Sequence, residues 1–137
     1  MEEFIAGAAR QTASQMGEEA IMADAVIFIG WDRPIVGREK QAMQLFQKVS
    51  EYNSMLQADR KVESFEVVIL RAHGGDLNGF ILLKGDAGKL AEIQREDTFV
   101  KFTIEAHYCL QGYGVVPGYT GTGVTNLFSQ WAKLIGS

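Results

Sequence analysis

Seven residues of this chain have side chains suited to chemistry: Trp31, Asp32, Arg33, His73, Asp76, His107 and Cys109. His73 and His107 are the only histidines, and each is a candidate catalytic acid or base near neutral pH. Arg33 can orient an anionic or carbonyl group, and Trp31, Asp32 and Asp76 complete a candidate substrate-binding set. Each residue also has a plain structural reading. His73-Gly-Gly-Asp76 is first of all a turn, in which the glycines supply positive φ and Asp76 bonds nearby amides. Asp32-Arg33 ahead of Pro34 reads first as a local ion pair fixing a loop, and His107 between Ala106 and Tyr108 reads equally as a core or interface histidine. Cys109 has no neighbouring base in sequence and reads as a small buried apolar residue.

Two histidines and an aspartate match a 2-His-1-carboxylate metal set by type, but the spacing is not diagnostic, and haem ligation through either histidine has no better support. No metal or cofactor is assigned. Gly112-x-Gly114 and Gly118-x-x-Gly121-x-Gly123 resemble phosphate loops only in glycine count, lacking the strand–loop–helix order and the lysine that a nucleotide site needs.

These groups can act together only if the fold gathers them. A chain of 137 residues makes one domain, long enough to bury a core without disulfides or metals. A net charge of -4 and scattered basic residues argue against nucleic acid; the densest group, Arg38, Lys40 and Lys48, falls on a solvated helix face. The single cysteine fits a reducing compartment, no apolar run approaches the ~20 residues that span a bilayer, and Met-Glu-Glu opens no secretory signal. A cytoplasmic protein is expected. Residues 1–23 are rich in Ala, Gly, Ser and Gln and read as an N-terminal extension, frayed helix or unordered, with Met22 an alternative start; residues 24–137 form the domain.

Ala25–Trp31 reads as the first strand, and Asp32–Gly37 as a loop set by Pro34. Arg38 to about Leu56 is an amphipathic helix, its stripe of Ala42, Leu45, Phe46, Val49 and Leu56 broken by the polar Asn53. Ser64–Arg71 and Leu77–Lys84 form a hairpin whose centres, Val67–Leu70 and Phe80–Leu83, are apolar at every position. A second helix starts at Asp86 as N-cap and runs to about Arg95. In Asp97–Cys109, Phe99, Phe102, Ala106 and Cys109 fit a helix while Val100, Phe102 and Ile104 also fit a strand; the helix, capped by Asp97, is the favoured reading. Gly112–Tyr119 is an edge strand that tolerates Pro117, and Val124, Leu127, Phe128, Trp131, Leu134 and Ile135 form one face of a terminal helix.

This order predicts an α+β fold of ferredoxin-like βαββαβ type with a C-terminal helix. The helices cover one sheet face, and strands apolar on both sides need cover on the other. Such a face would exceed the few hundred Å² of apolar patch that monomers tolerate. Burying it, at about 25 cal/mol per Å², favours a symmetric dimer packed sheet to sheet. The same topology brings the exit of the first strand, the hairpin turn and the entry to the last strand to one end, together with all seven residues above.

Ile29-Gly-Trp-Asp-Arg-Pro34 with Gly37-Arg-Glu39, the hairpin Ala72–Phe80, and Gly112–Gly121 carry a resemblance to an uncharacterised bacterial family of the dimeric α+β barrel superfamily. It covers about residues 24–123 and implies the fold and the homodimer. The superfamily includes monooxygenases, isomerases, decolorising peroxidases and haem-degrading enzymes, none of whose motifs match here residue by residue. Two functions are expected in contrast. One is binding of a small organic molecule in a cleft between helices and sheet at the His73 end, with acid–base chemistry by His73 or His107. The other is a non-catalytic dimeric structural or interaction module.

Overall fold

The computed structural model describes residues 23–136, so residues 1–22 of the expected extension, 1–23, lie outside the described part. The elements run β1 (Ala25–Trp31), α1 (Glu39–Ala58), β2 (Ser64–Ile69), β3 (Gly79–Gly85), α2 (Ala87–Arg95), α3 (Asp97–Cys109), β4 (Gly114–Tyr119) and α4 (Thr122–Leu134). The strands form one sheet in the order β2-β3-β1-β4, with every neighbouring pair antiparallel. This is the expected ferredoxin-like arrangement with an additional C-terminal helix.

Register sorts the side chains into two faces, because residues alternate along each strand and partners across a ladder share a side. Ile27, Ile29 and Trp31 of β1, with Ile81 and Leu83 of β3, are buried beneath the helices. They meet Leu56 of α1, Leu90 and Ile93 of α2, and Phe99 of α3 in the main core. A second cluster joins Ala42 and Leu45 of α1 to Ala106 and Cys109 of α3.

The opposite face carries Val26 and Phe28 of β1, Phe80 and Leu82 of β3, Val68 of β2 and Val116 of β4. The Phe28 and Phe80 rings touch there, with centroids 5.1 Å apart. Ser64, Glu66 and Lys84 share this face on the edge strand and at the end of β3, so its apolar part is the patch around Phe28, Phe80 and Leu82.

Local chemistry explains most boundaries. Asp86 caps α2 by accepting a hydrogen bond from the Lys89 amide at 3.0 Å, an arrangement that contributes about 1 kcal/mol. The expected Asp97 cap is corrected: Glu96 occupies the N-cap position of α3, and its carboxylate turns away to Tyr52 and Lys61. The ladder of β2 and β3 ends at Ile69 opposite Gly79, so the connecting loop, residues 70–78, is longer than expected. The final strand starts at Gly114 rather than Gly112. Gly112 has φ +62°, which takes it out of extended geometry, and a Cβ there would run into the Asp32 carboxylate.

Candidate functional site

At the end of the sheet where β1 and β2 leave and β3 enters, α1 and α3 wall a cavity of about 310 Å³. Its floor is the helix-facing side of the sheet, with Ile29, Trp31 and Ile81; its walls are Phe46 and Val49 of α1 and Phe99, Phe102 and Ala106 of α3. Pro34, Leu110 and Tyr113 close one end. Pro34 and Leu110 are held as a bridge, and main-chain bonds from Asp32 N to Gln111 O and from Gln111 N to Arg33 O, both 2.8 Å, fasten the two loops together. Met43 and Ile69 also line the cavity yet are 64% and 60% exposed, so they mark its mouth between α1 and the edge strand β2.

Trp31 lies in the floor because the residue opposite it is Gly79. A Cβ on Gly79 would stand 2.8 Å from the indole Cζ2 and 2.9 Å from the Val68 carbonyl oxygen. The indole meets the Phe46 ring edge-on at 6.4 Å.

Among the described residues, the one buried polar residue is Asn53 on α1, 2% exposed and part of the cavity lining. Its Nδ2 has no hydrogen-bond partner among the described residues. Leaving a buried amide group unsatisfied costs about 1–3 kcal/mol. A fold selected for stability alone would place leucine at this stripe position.

No charged side chain lines the cavity among the described residues. Its two tyrosines are neutral phenols. Burial, reinforced by a hydrogen bond to Glu96, pushes the Tyr52 hydroxyl well above its ordinary range. The hydroxyl donates to Glu96 Oε2, and that bond, with a smaller contribution from Lys61 at 3.2 Å, holds the Glu96 carboxyl below its ordinary value. Burial likewise raises Tyr113, partly offset by a hydrogen bond with Thr103.

Of the seven residues singled out in the sequence, only Trp31 lines the cavity. His73 is exposed in the β2–β3 loop with both ring nitrogens engaged: Nδ1 accepts from the Gly75 amide at 3.2 Å, so Nε2 carries the hydrogen and donates to the Leu77 carbonyl at 2.8 Å. Asp76, in the same loop, and Arg33 are exposed. Asp32 packs its carboxylate against Gly112. His107 is exposed on α3, its ring edge-on to Tyr113 with centroids 5.1 Å apart. Cys109 is 1% exposed, and burial pushes its thiol up, away from a reactive thiolate. Among the described residues, no three His, Cys, Asp or Glu side chains come together as a metal site. Asn53, Tyr113 and the aromatic walls were absent from the candidate set, although Asn53 stands in the sequence as the polar break in an apolar stripe.

The chain matches no protein-family model and no curated protein. Among solved structures it is similar to a dimeric protein of unknown function and ferredoxin-like fold from Bacteroides fragilis NCTC 9343. The TM-score is 0.51 at 11% identity, over 69% of this chain and 95% of that one. At that identity the likeness carries the fold alone. Among the described residues, no helix is long and apolar enough to cross a membrane.

Proposed function

We propose that this chain is a homodimeric binding protein for a small, neutral, largely apolar molecule carrying one hydrogen-bond acceptor. The observation that carries the reading is the buried Asn53 amide, unpartnered in a largely apolar cavity of about 310 Å³ that Asn78 and two tyrosines also line. That volume is at the lower end of small-molecule pockets, which combine apolar walls with a few polar groups that set orientation. A ligand carbonyl or ether oxygen would supply the acceptor that Nδ2 lacks, and the aromatic walls suit a ring. An anionic ligand is disfavoured, because burying an ion without a counter-charge costs several kcal/mol and Arg33 is exposed.

Support for the homodimer comes from the second apolar face of the sheet, with Phe28, Phe80 and Leu82 on its central strands, and from the dimeric description of the Bacteroides neighbour. Sheet-to-sheet packing would give the dimeric α+β barrel that the sequence resemblance implies. A second reading, acid–base catalysis, is favoured by one contact: His107 rests on Tyr113, a wall of the cavity. In that case His107→Gln would abolish turnover of a bound ligand and leave its affinity unchanged.

The test is calorimetric titration with a matched pair of probes, 2-acetylnaphthalene and 2-naphthoate. The neutral ketone should bind saturably and the carboxylate at least about tenfold more weakly. Equal or tighter binding of the carboxylate, or no binding of the ketone, overturns the reading.

A further inference from the structure

Helix α4 has a continuous apolar stripe and almost nothing to lay it on. Val124, Leu127, Phe128, Trp131 and Leu134 recur at helical spacing, yet no residue of the helix is buried and none joins either core cluster. Its root is fixed where β4 ends, by the Thr120 amide on the Asp24 carbonyl at 3.2 Å. The first half stands beside the body, with Leu127 facing a groove lined by Val26, Leu90 and Tyr119. The second half leaves it: Trp131 is 52% exposed, Leu134 83% and Ile135 81%. Among the described residues, α4 makes no extensive contact with any other element.

We infer that α4 is a dimerisation arm whose Trp131 end packs on the second copy of the chain, along the rim of the sheet-to-sheet contact. This rests on the homodimer proposed above and adds to it. Area argues for it. Four strands about 4.8 Å apart and six residues long present a face of only about 400 Å². A stable interface buries about 800 Å² per partner. The half of the helix that leaves the body is about 10 Å long and about 10 Å wide, so its stripe covers about 100 Å². Under two-fold symmetry each subunit gives one such stripe and receives another, about 200 Å² in all, which narrows the gap by about half. On the open face, edge strand β4 offers Val116, 54% exposed, as an apolar contact at the rim. Tryptophan at the tip of the arm is the residue type most enriched among dominant interface contacts.

The experiment uses the full chain labelled with 5-fluorotryptophan, whose two tryptophans give two fluorine resonances, Trp131 being assigned by Trp131→Phe. Broadening by a soluble paramagnetic probe is read across a dilution series whose association state is set by ultracentrifugation. The inference expects Trp131 to be broadened in dilute monomer and protected several-fold in the dimer. Leu134→Asp should raise the dimer dissociation constant about tenfold or more. A dimer in which Trp131 stays fully accessible overturns the arm and leaves the sheet pairing standing. Protection of Trp131 in the monomer, as by residues 1–22 of its own chain, also overturns it, and so does protection that arises only on added lipid vesicles. A chain that never dimerises removes the sheet pairing and the arm together.

Discussion

Replacing Asn53 by leucine should make the unliganded protein more stable, the reverse of the usual result for a core substitution. The wild-type residue is 2% exposed, and its Nδ2 donates to nothing among the described residues. Asn53→Leu removes an unsatisfied group that costs about 1–3 kcal/mol and keeps the same branching at Cγ, its bulkier methyls having the adjoining cavity to enter, in an apolar stripe beside Phe46, Val49 and Leu56. For a domain of this size about 4 °C of Tm accompanies each kcal/mol, so Tm should rise by about 4–12 °C. The same change removes the buried lining donor that is left unpaired. Saturating 2-acetylnaphthalene should therefore raise the Tm of wild type and do little for the variant. Differential scanning calorimetry of both proteins, with and without ketone, reads all four values. A fall in Tm for Asn53→Leu would mean that the amide is a satisfied core group, and the argument for a ligand would lose its footing.

Other substitutions probe the frame around that site. Phe80→Glu places a charge on the open sheet face twice per dimer. Losing the burial of two phenylalanines, about 1.5–3 kcal/mol each, should weaken association about 10²–10⁴-fold by sedimentation equilibrium; an unchanged constant would contradict sheet pairing. Gly79→Ala should cost about 1–3 kcal/mol in urea unfolding and shift Trp31 fluorescence, because its Cβ meets the indole and the Val68 carbonyl at under 3 Å; a neutral effect would contradict the close approach. Tyr52→Phe should cost about 1 kcal/mol at neutral pH, the Glu96 end being partly exposed. The folded Glu96 pKa is depressed, so this contribution is present above the unfolded value of about 4.3 and is lost as pH falls through the lower folded one. The gap between wild type and variant should thus close in acid, and a gap independent of pH would count against the Tyr52–Glu96 bond.

The fold was legible because its signals are local. Strand β1 falls on Ala25–Trp31 as read, the stripe of α1 is the buried one, and Asp86 caps α2 with the expected geometry. Asp97 misled because either of two adjacent acids can cap α3, and only the tertiary partners Tyr52 and Lys61 decide what Glu96 does. The cleft was legible in position, at the hairpin end between helices and sheet, but not in chemistry. Ionisable residues drew the eye to loops, where His73 ties its own turn and Arg33 faces water. The polar group inside the cleft is an amide that breaks a stripe by one residue. Sequence shows the break but not that its Nδ2 is left unpaired, since that depends on how far α1 and α3 stand apart over Trp31.

The side-chain amide of Asn53 itself gives the most direct test. Its ¹⁵N–¹H₂ resonances, identified by their loss in Asn53→Leu, can be followed while 2-acetylnaphthalene is titrated into the uniformly labelled protein. Binding in the cleft predicts a saturable downfield shift of one amide proton, with slowed exchange against water. Resonances that stay fixed while the ketone binds elsewhere, or a ketone that does not bind at all, would contradict it.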